Sequence, residues 1–118
     1  MVQPDATAGS RAASVAAADL TLLCGPVPNQ PGLFYFGANQ SNLAFGNGTR
    51  CVGGTVFRLP VTVASNGELS HVVDFASAPV QGVIVGNTTW NFQAWFRDPL
   101  GGGSFFDLSD GLEIAFLP

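Results

Sequence analysis

Lysine is absent from this 118-residue chain. Four arginines, eight carboxylates and one histidine make up its charged chemistry, and only 10% of residues are charged. Nucleic-acid binding is disfavoured, because neutralising phosphates takes clustered Lys and Arg. Here Arg11, Arg50, Arg58 and Arg97 are far apart in sequence and the net charge is −4. An anionic membrane surface is disfavoured for the same reason. Long apolar runs are also missing. No stretch approaches the ~20 apolar residues of a spanning helix, although the mean hydropathy is +0.31. Neither an amphipathic helix of ordinary length nor an internal repeat is present. Residues 1–18 lack the basic start and apolar core of a signal peptide. Export would therefore need a leader already removed, or another route.

What the chain has instead is ten phenylalanines, 15 glycines and eight prolines. Short apolar segments punctuated by Gly and Pro are the pattern of many strands joined by turns. Residues 1–18 read as an Ala/Ser/Gly-rich arm or linker, docked on its own domain or on a neighbour if ordered. Residues 12–18 fit a weak helix or a strand equally. From Asp19 onward about eight short strands are predicted. Leu33–Phe36 is a dense aromatic strand. Residues 37–41 read as a polar loop and Gly46-Asn-Gly48 as a turn. Gly53-Gly54 marks a bend. Pro60 marks an edge, a kink or a change of sheet. Ser65-Asn-Gly67 is a hairpin turn. Leu69, His71, Val73 and Phe75 share one face of a strand. In the next long strand Trp90, Phe92, Ala94 and Phe96 face inward, and Asn91, Gln93, Trp95 and Arg97 face out. The predicted fold is all-β: one antiparallel β-sandwich over residues 19–118, jelly-roll or immunoglobulin-like, with an N-terminal arm.

The two cysteines leave two readings open. A Cys24–Cys51 bridge would close a loop of about 28 residues and stabilise by roughly 3–4 kcal/mol in the chain-entropy model. Two buried thiols, acting as small hydrophobes, are the alternative.

Several segments, in order, carry a family resemblance: Leu20-Thr-Leu22, Pro28-Asn-Gln-Pro-Gly-Leu-Phe34, Phe45-Gly-Asn-Gly48, Arg50-Cys-Val-Gly-Gly54, Phe57-Arg-Leu-Pro60, Thr89-Trp-Asn-Phe-Gln93, Trp95-Phe-Arg-Asp-Pro99 and Phe106-Asp-Leu-Ser-Asp-Gly-Leu112. Through them the chain resembles a β-rich C-terminal domain of secreted planctomycete and myxobacterial proteins. The resemblance implies export and a β fold, and implies no activity. That family's pattern ends Phe-Cys-Pro, whereas this chain ends Phe116-Leu117-Pro118. The usual partner of Cys51 is therefore missing, and the resemblance points to Cys24 as its substitute.

Few residues qualify for chemistry. A lone His71 makes no triad or metal site unaided, and its alternation with Leu69 and Val73 reads as a core or edge histidine. Asp98, Asp107 and Asp110 surround a Gly-rich loop. Such oxygens suit calcium, which takes about 6–8 ligands, though the spacing matches no EF-hand and turn-capping explains them equally. The same carboxylates make a poor glycosidase pair in a domain this small. Ser104 and Ser109 lie outside any G-x-S-x-G elbow. Arg50 and Arg58 are expected to pair with Asp74, Asp98 or Asp110. The amide-rich residues 39–42 fit a loop that binds sugar or another subunit, with a plain solvated loop as the default.

Trp95 and Tyr35, with Asn91, Gln93 and Arg97, form the candidate binding surface: aromatic faces for stacking and polar groups for anchoring. The alternative is that Arg97 merely covers Trp95. The expectation is an exported, non-enzymatic module without a cofactor. Its partners would be its own subunits or another extracellular protein, met through faces and edges that no lysine protects. The second expectation is a carbohydrate-binding module.

Overall fold

The computed structural model describes residues 2–4, 12–14, 20–109 and 111–118. These residues form twelve short strands in three sheets; two lie in the arm and ten in the remainder, where about eight were expected. β3 (Thr21–Cys24) lies between β1 (Val2–Pro4) and β9 (Leu69–Val72), antiparallel to both. The large sheet has the order β2 (Ala12–Ser14), β12 (Leu112–Leu117), β10 (Thr88–Arg97), β4 (Pro31–Gly37), β7 (Phe57–Arg58). Two further strands join it: β8 (Thr62–Val63) pairs with β4 and β11 (Phe106–Leu108) with β10. All of its pairings are antiparallel except β2 with β12. A separate hairpin pairs β5 (Asn39–Phe45) with β6 (Gly48–Gly53).

The two described pieces of the arm thus extend this chain's own sheets. Ala12–Ser14 is a strand, which answers the helix-or-strand ambiguity for those residues. The rest of the arm lies outside the described residues.

The small and large sheets close on one core. Leu22, Cys24, Leu69 and Val73 from one side meet Phe34, Phe36, Phe92, Ile114 and Phe116 from the other. Ring contacts knit it: Phe36 stacks on Phe57 at 5.1 Å and meets Trp90 edge-on at 5.5 Å. Such pairs contribute about 0.5–1.5 kcal/mol each beyond simple burial. β12 keeps the strict alternation of a strand with one wet face, Leu112, Ile114 and Phe116 in, Glu113 and Ala115 out. β4 does not alternate in its second half, where Phe34, Tyr35, Phe36 and Gly37 are all buried. Both of its faces are covered, and a strand between two layers reads as a continuous apolar run.

The turn chemistry follows the sequence. Ser65 and Glu68 bridge across Asn66 and Gly67, both at positive φ. Pro60 separates β7 from β8, and both run along the free edge of β4. There its missing N–H costs no ladder bond. Residues 37–41 are not a loop. Asn39 begins β5, and a register shift between Gln40 and Leu43 absorbs the polar residues. The apolar residues 82–85 form no strand; the turn there is held by Val83 and Ile84 N–H bonds to Val80 O. The Gly-rich loop begins with a 3-10 turn, Pro99–Gly101. Among the described residues no helix is long and apolar enough to cross a membrane.

Candidate functional site

Residues directly opposed in an antiparallel pair project to the same face. Tyr35 opposes Gln93 on one side and Arg58 on the other, and Trp95 opposes Leu33 and Leu108. Arg97 opposes Phe106. Strand pairing alone therefore gathers these side chains on the outer face of the large sheet, away from the main core. The sequence reading had the side right for Trp95, Gln93 and Arg97.

It had the exposure wrong. The β5–β6 hairpin folds over part of this face, so Asn91 and Gln93 are buried beneath it, Gln93 completely. Asn91 Nδ2 donates to Gly37 O and Ala38 O, and its Oδ1 accepts from Gln40 Nε2 at 3.1 Å. Gln93 Nε2 donates to Thr49 O at 2.7 Å and Ser109 O at 2.5 Å. Its Oε1 accepts from Cys51 N at 2.8 Å and from the Tyr35 hydroxyl. All four hydrogen-bonding positions of this amide are used. Both amides are fastenings for the hairpin rather than anchors for a ligand.

The rest of the face remains open as a cleft of about 440 Å3. Leu33, Tyr35, Val56 and Leu108 line its apolar part. Trp95, Phe106 and Phe45 form an aromatic wall, with ring centroids 5.4 Å apart for Trp95–Phe106 and 5.6 Å for Phe45–Phe106. Gly46, at the hairpin tip with φ +59°, makes room for this wall, since a Cβ there would lie 2.2 Å from the Phe106 ring. Arg50 enters from the hairpin and Arg58 from the edge strand β7.

Neither arginine pairs with Asp74 or Asp98; Asp110, the third expected partner, lies outside the described residues. No ion pair involves either of them among the described residues. Arg50 is half-buried, and its Nε donates to Val52 O at 2.9 Å. Asp74 is occupied by Ser77 Oγ and Ala76 N. Burial pushes the Tyr35 phenol well above its ordinary range, and the nearby Arg50 charge only partly offsets this. Tyr35 therefore stays protonated. Its hydrogen is committed to Gln93, which leaves the phenolic oxygen as an acceptor.

No family model, curated protein or solved structure matches the chain. The cleft has to be read from its own chemistry.

The other candidates are dispersed. Asp98 precedes the 3-10 turn, and Asp107 Oδ1 accepts from Leu108 N. Asp110 lies outside the described residues. No group of three metal-ligating side chains forms among the described residues. His71 opposes Leu22 and is half-buried on the core side, where burial lowers its pKa. Ser109 Oγ accepts from Ala94 N, and Ser104 N donates to Asn47 Oδ1.

Cys24 and Cys51 are not bridged. Cys24 lies between the two sheets and Cys51 on the far side of the large one. Packed layers stand about 10 Å apart, beyond the ~7 Å limit for a disulfide's Cα atoms.

Sequence reasoning missed Arg50, Arg58, Phe45 and Phe106 as cleft residues. The Gly46-Asn-Gly48 turn signals the hairpin, but nothing local signals which face it folds over.

Proposed function

We propose that this chain is an exported, non-catalytic binding module that takes a saccharide in the outer-face cleft. The observation that carries the reading is the open wall of Trp95 and Phe106 in a cleft that Arg50 and Arg58 also line. Aromatic faces suit the apolar face of a sugar ring, and a few polar groups fix its orientation. Chemistry beyond binding has no support there. The described lining residues include no carboxylate, histidine, serine or cysteine, and Tyr35 is held protonated. Export rests on the lysine-free composition and on the resemblance to a secreted domain.

The test is retention on a panel of polysaccharides by the parent chain and by Trp95→Ala. Retention that Trp95→Ala abolishes in a folded protein supports the reading. A full panel with no retention ends it.

A second reading, an assembling surface subunit, draws on Val63 and Val72. These side chains are 63% and 66% exposed on the neighbouring strands β8 and β9. Sedimentation of Val63→Glu and Val72→Glu tests it. Particles of unchanged size would remove its support.

A further inference from the structure

We infer that the saccharide is acidic: the cleft selects a carboxylate-bearing sugar, as in a polyuronate chain. This inference rests on the proposed function and narrows its ligand class.

The chain is acidic, with a net charge of −4 and four cationic side chains in all. Two of those four line this one cleft, and they are the charged residues of its described lining. A third, Arg97, is exposed on the same face two residues beyond Trp95. Neither Arg50 nor Arg58 pairs with a carboxylate among the described residues. Arg58 stands opposite Tyr35 in the β4–β7 pair, so its stem starts beside that of Tyr35, on the cleft's face of the sheet. Arg50 reaches the same space from the hairpin, its Nε tied to Val52 O. That bond leaves its terminal nitrogens available as donors.

The chemistry demanded of a ligand is then specific. Guanidinium is a planar fork that matches the two oxygens of a carboxylate. The Trp95–Phe106 wall asks for a ring with an apolar face. A uronate residue carries both: a carboxylate and a C–H face. A neutral sugar would leave both guanidiniums without an anion, and a plain fatty acid would leave the aromatic wall without a ring to stack.

The overall negative charge does not defeat this. Exposed charges beyond about 8 Å are largely screened at physiological ionic strength, while contact pairs in a partly apolar cleft are screened much less. Affinity should still fall as salt rises.

The experiment uses the full chain and five immobilised probes: polygalacturonate, its fully methyl-esterified form, alginate, neutral dextran and dextran sulfate. The ester is decisive, because it keeps the sugar and removes the charge. Retention on a polyuronate, absent on the ester and on dextran, is the expected result. Arg58→Gln is the decisive variant, since Arg58 is exposed and its side chain makes no hydrogen bond or ion pair among the described residues. It should weaken polyuronate binding about tenfold or more without shifting the melting temperature. Arg50→Gln should do the same, with some loss of stability through Val52.

Equal retention on acid and ester, or retention on dextran, would overturn the acidic selectivity while leaving the saccharide reading intact. Retention on dextran sulfate alone would overturn the carboxylate assignment. No retention on any of the five probes or on the wider panel would overturn both readings. Polyuronate binding unchanged in Arg58→Gln and Arg50→Gln would remove the cleft from the account.

Discussion

Tyr35 donates its phenolic hydrogen to Oε1 of Gln93, its direct neighbour across the β4–β10 pair. The bond links two neighbouring strands on the outer side of the large sheet. Gln93 passes the connection on to Cys51 and Thr49 of the hairpin and to Ser109 after β11. Together with Asn91, which holds Gln40, this amide fixes where the hairpin lies, and with it the mouth of the cleft.

Gln93→Leu is expected to be severely destabilising. It keeps the volume but leaves Cys51 N–H, Thr49 O, Ser109 O and the Tyr35 hydroxyl to find other partners. Each buried group left unsatisfied costs about 1–3 kcal/mol, so a loss of about 3–5 kcal/mol is expected after partial relaxation. Tyr35→Phe removes one donor from an oxygen that keeps another, and should cost about 1 kcal/mol. Urea unfolding measures both. A Gln93→Leu loss below about 1 kcal/mol would mean that the hairpin is held by something else.

The two tryptophans should separate stability from binding. Trp90 packs on Phe36 and Phe57 in the main core. Trp90→Ala should lower stability by about 2–4 kcal/mol, near the core-aromatic range, yet retain ligand while folded. Trp95→Ala should lose the ligand at a smaller cost in stability. The reverse pattern in paired melting and retention measurements would contradict the outer-face site.

Gly46→Ala tests the aromatic wall. Its positive φ adds strain of about 1 kcal/mol, and the new methyl group runs into the Phe106 ring. Ligand retention should fall more than stability does. If retention is unchanged, Phe106 is not part of the recognition surface.

The cysteines should behave independently. A reducing agent should leave the melting temperature unchanged, because no Cys24–Cys51 bridge is present to break. Alkylation of the native protein should reach half-buried Cys51 well before Cys24, which is 1% exposed. An intact mass two hydrogens short, without reductant, would restore the disulfide.

Acid should weaken the fold through His71 first. Burial lowers its folded pKa below the ordinary 6.5, so the unfolded chain binds its proton more readily. Stability then rises with pH across that window. It is full above 6.5 and is lost as pH falls below it. Asp74, held down by Ser77 and Ala76, adds a second loss at lower pH, beginning below its ordinary 3.8. His71→Gln should flatten the upper part of the stability profile. A melting temperature insensitive to pH between about 7 and 5 would refute the His71 contribution.

The division of labour between sequence and structure is visible in β10. Alternation alone assigned Phe92 and Ala94 to the core and Trp95 to the opposite side, and the structure agrees. The same rule assigned Gln93 to solvent, and it is buried. Period-two patterning reports which face a side chain takes. It carries no information on what lies over that face. The hint was in β4, where Tyr35 sits between Phe34 and Phe36 without a polar outer neighbour.

Arg50 and Arg58 show the same boundary. Arginine's fork made carboxylate pairing the natural expectation, but a pair needs both partners on one surface. Asp74 is bonded locally, within its own turn, far from β6 and β7 in the chain. Local hydrogen bonds form without any loop-closure cost, so a nearby hydroxyl and amide outcompete a distant guanidinium.

Composition and spacing were enough to specify an aromatic, turn-rich β fold with almost no reactive side chains, because strand periodicity and turn chemistry are written in neighbouring residues. Where the β5–β6 hairpin lies, that the cysteines are held a layer apart, and that Arg50 and Arg58 share a cleft with Trp95 and Tyr35 were decided only by the packing of layers. Those are contacts between segments distant in the chain, and no local pattern encodes them.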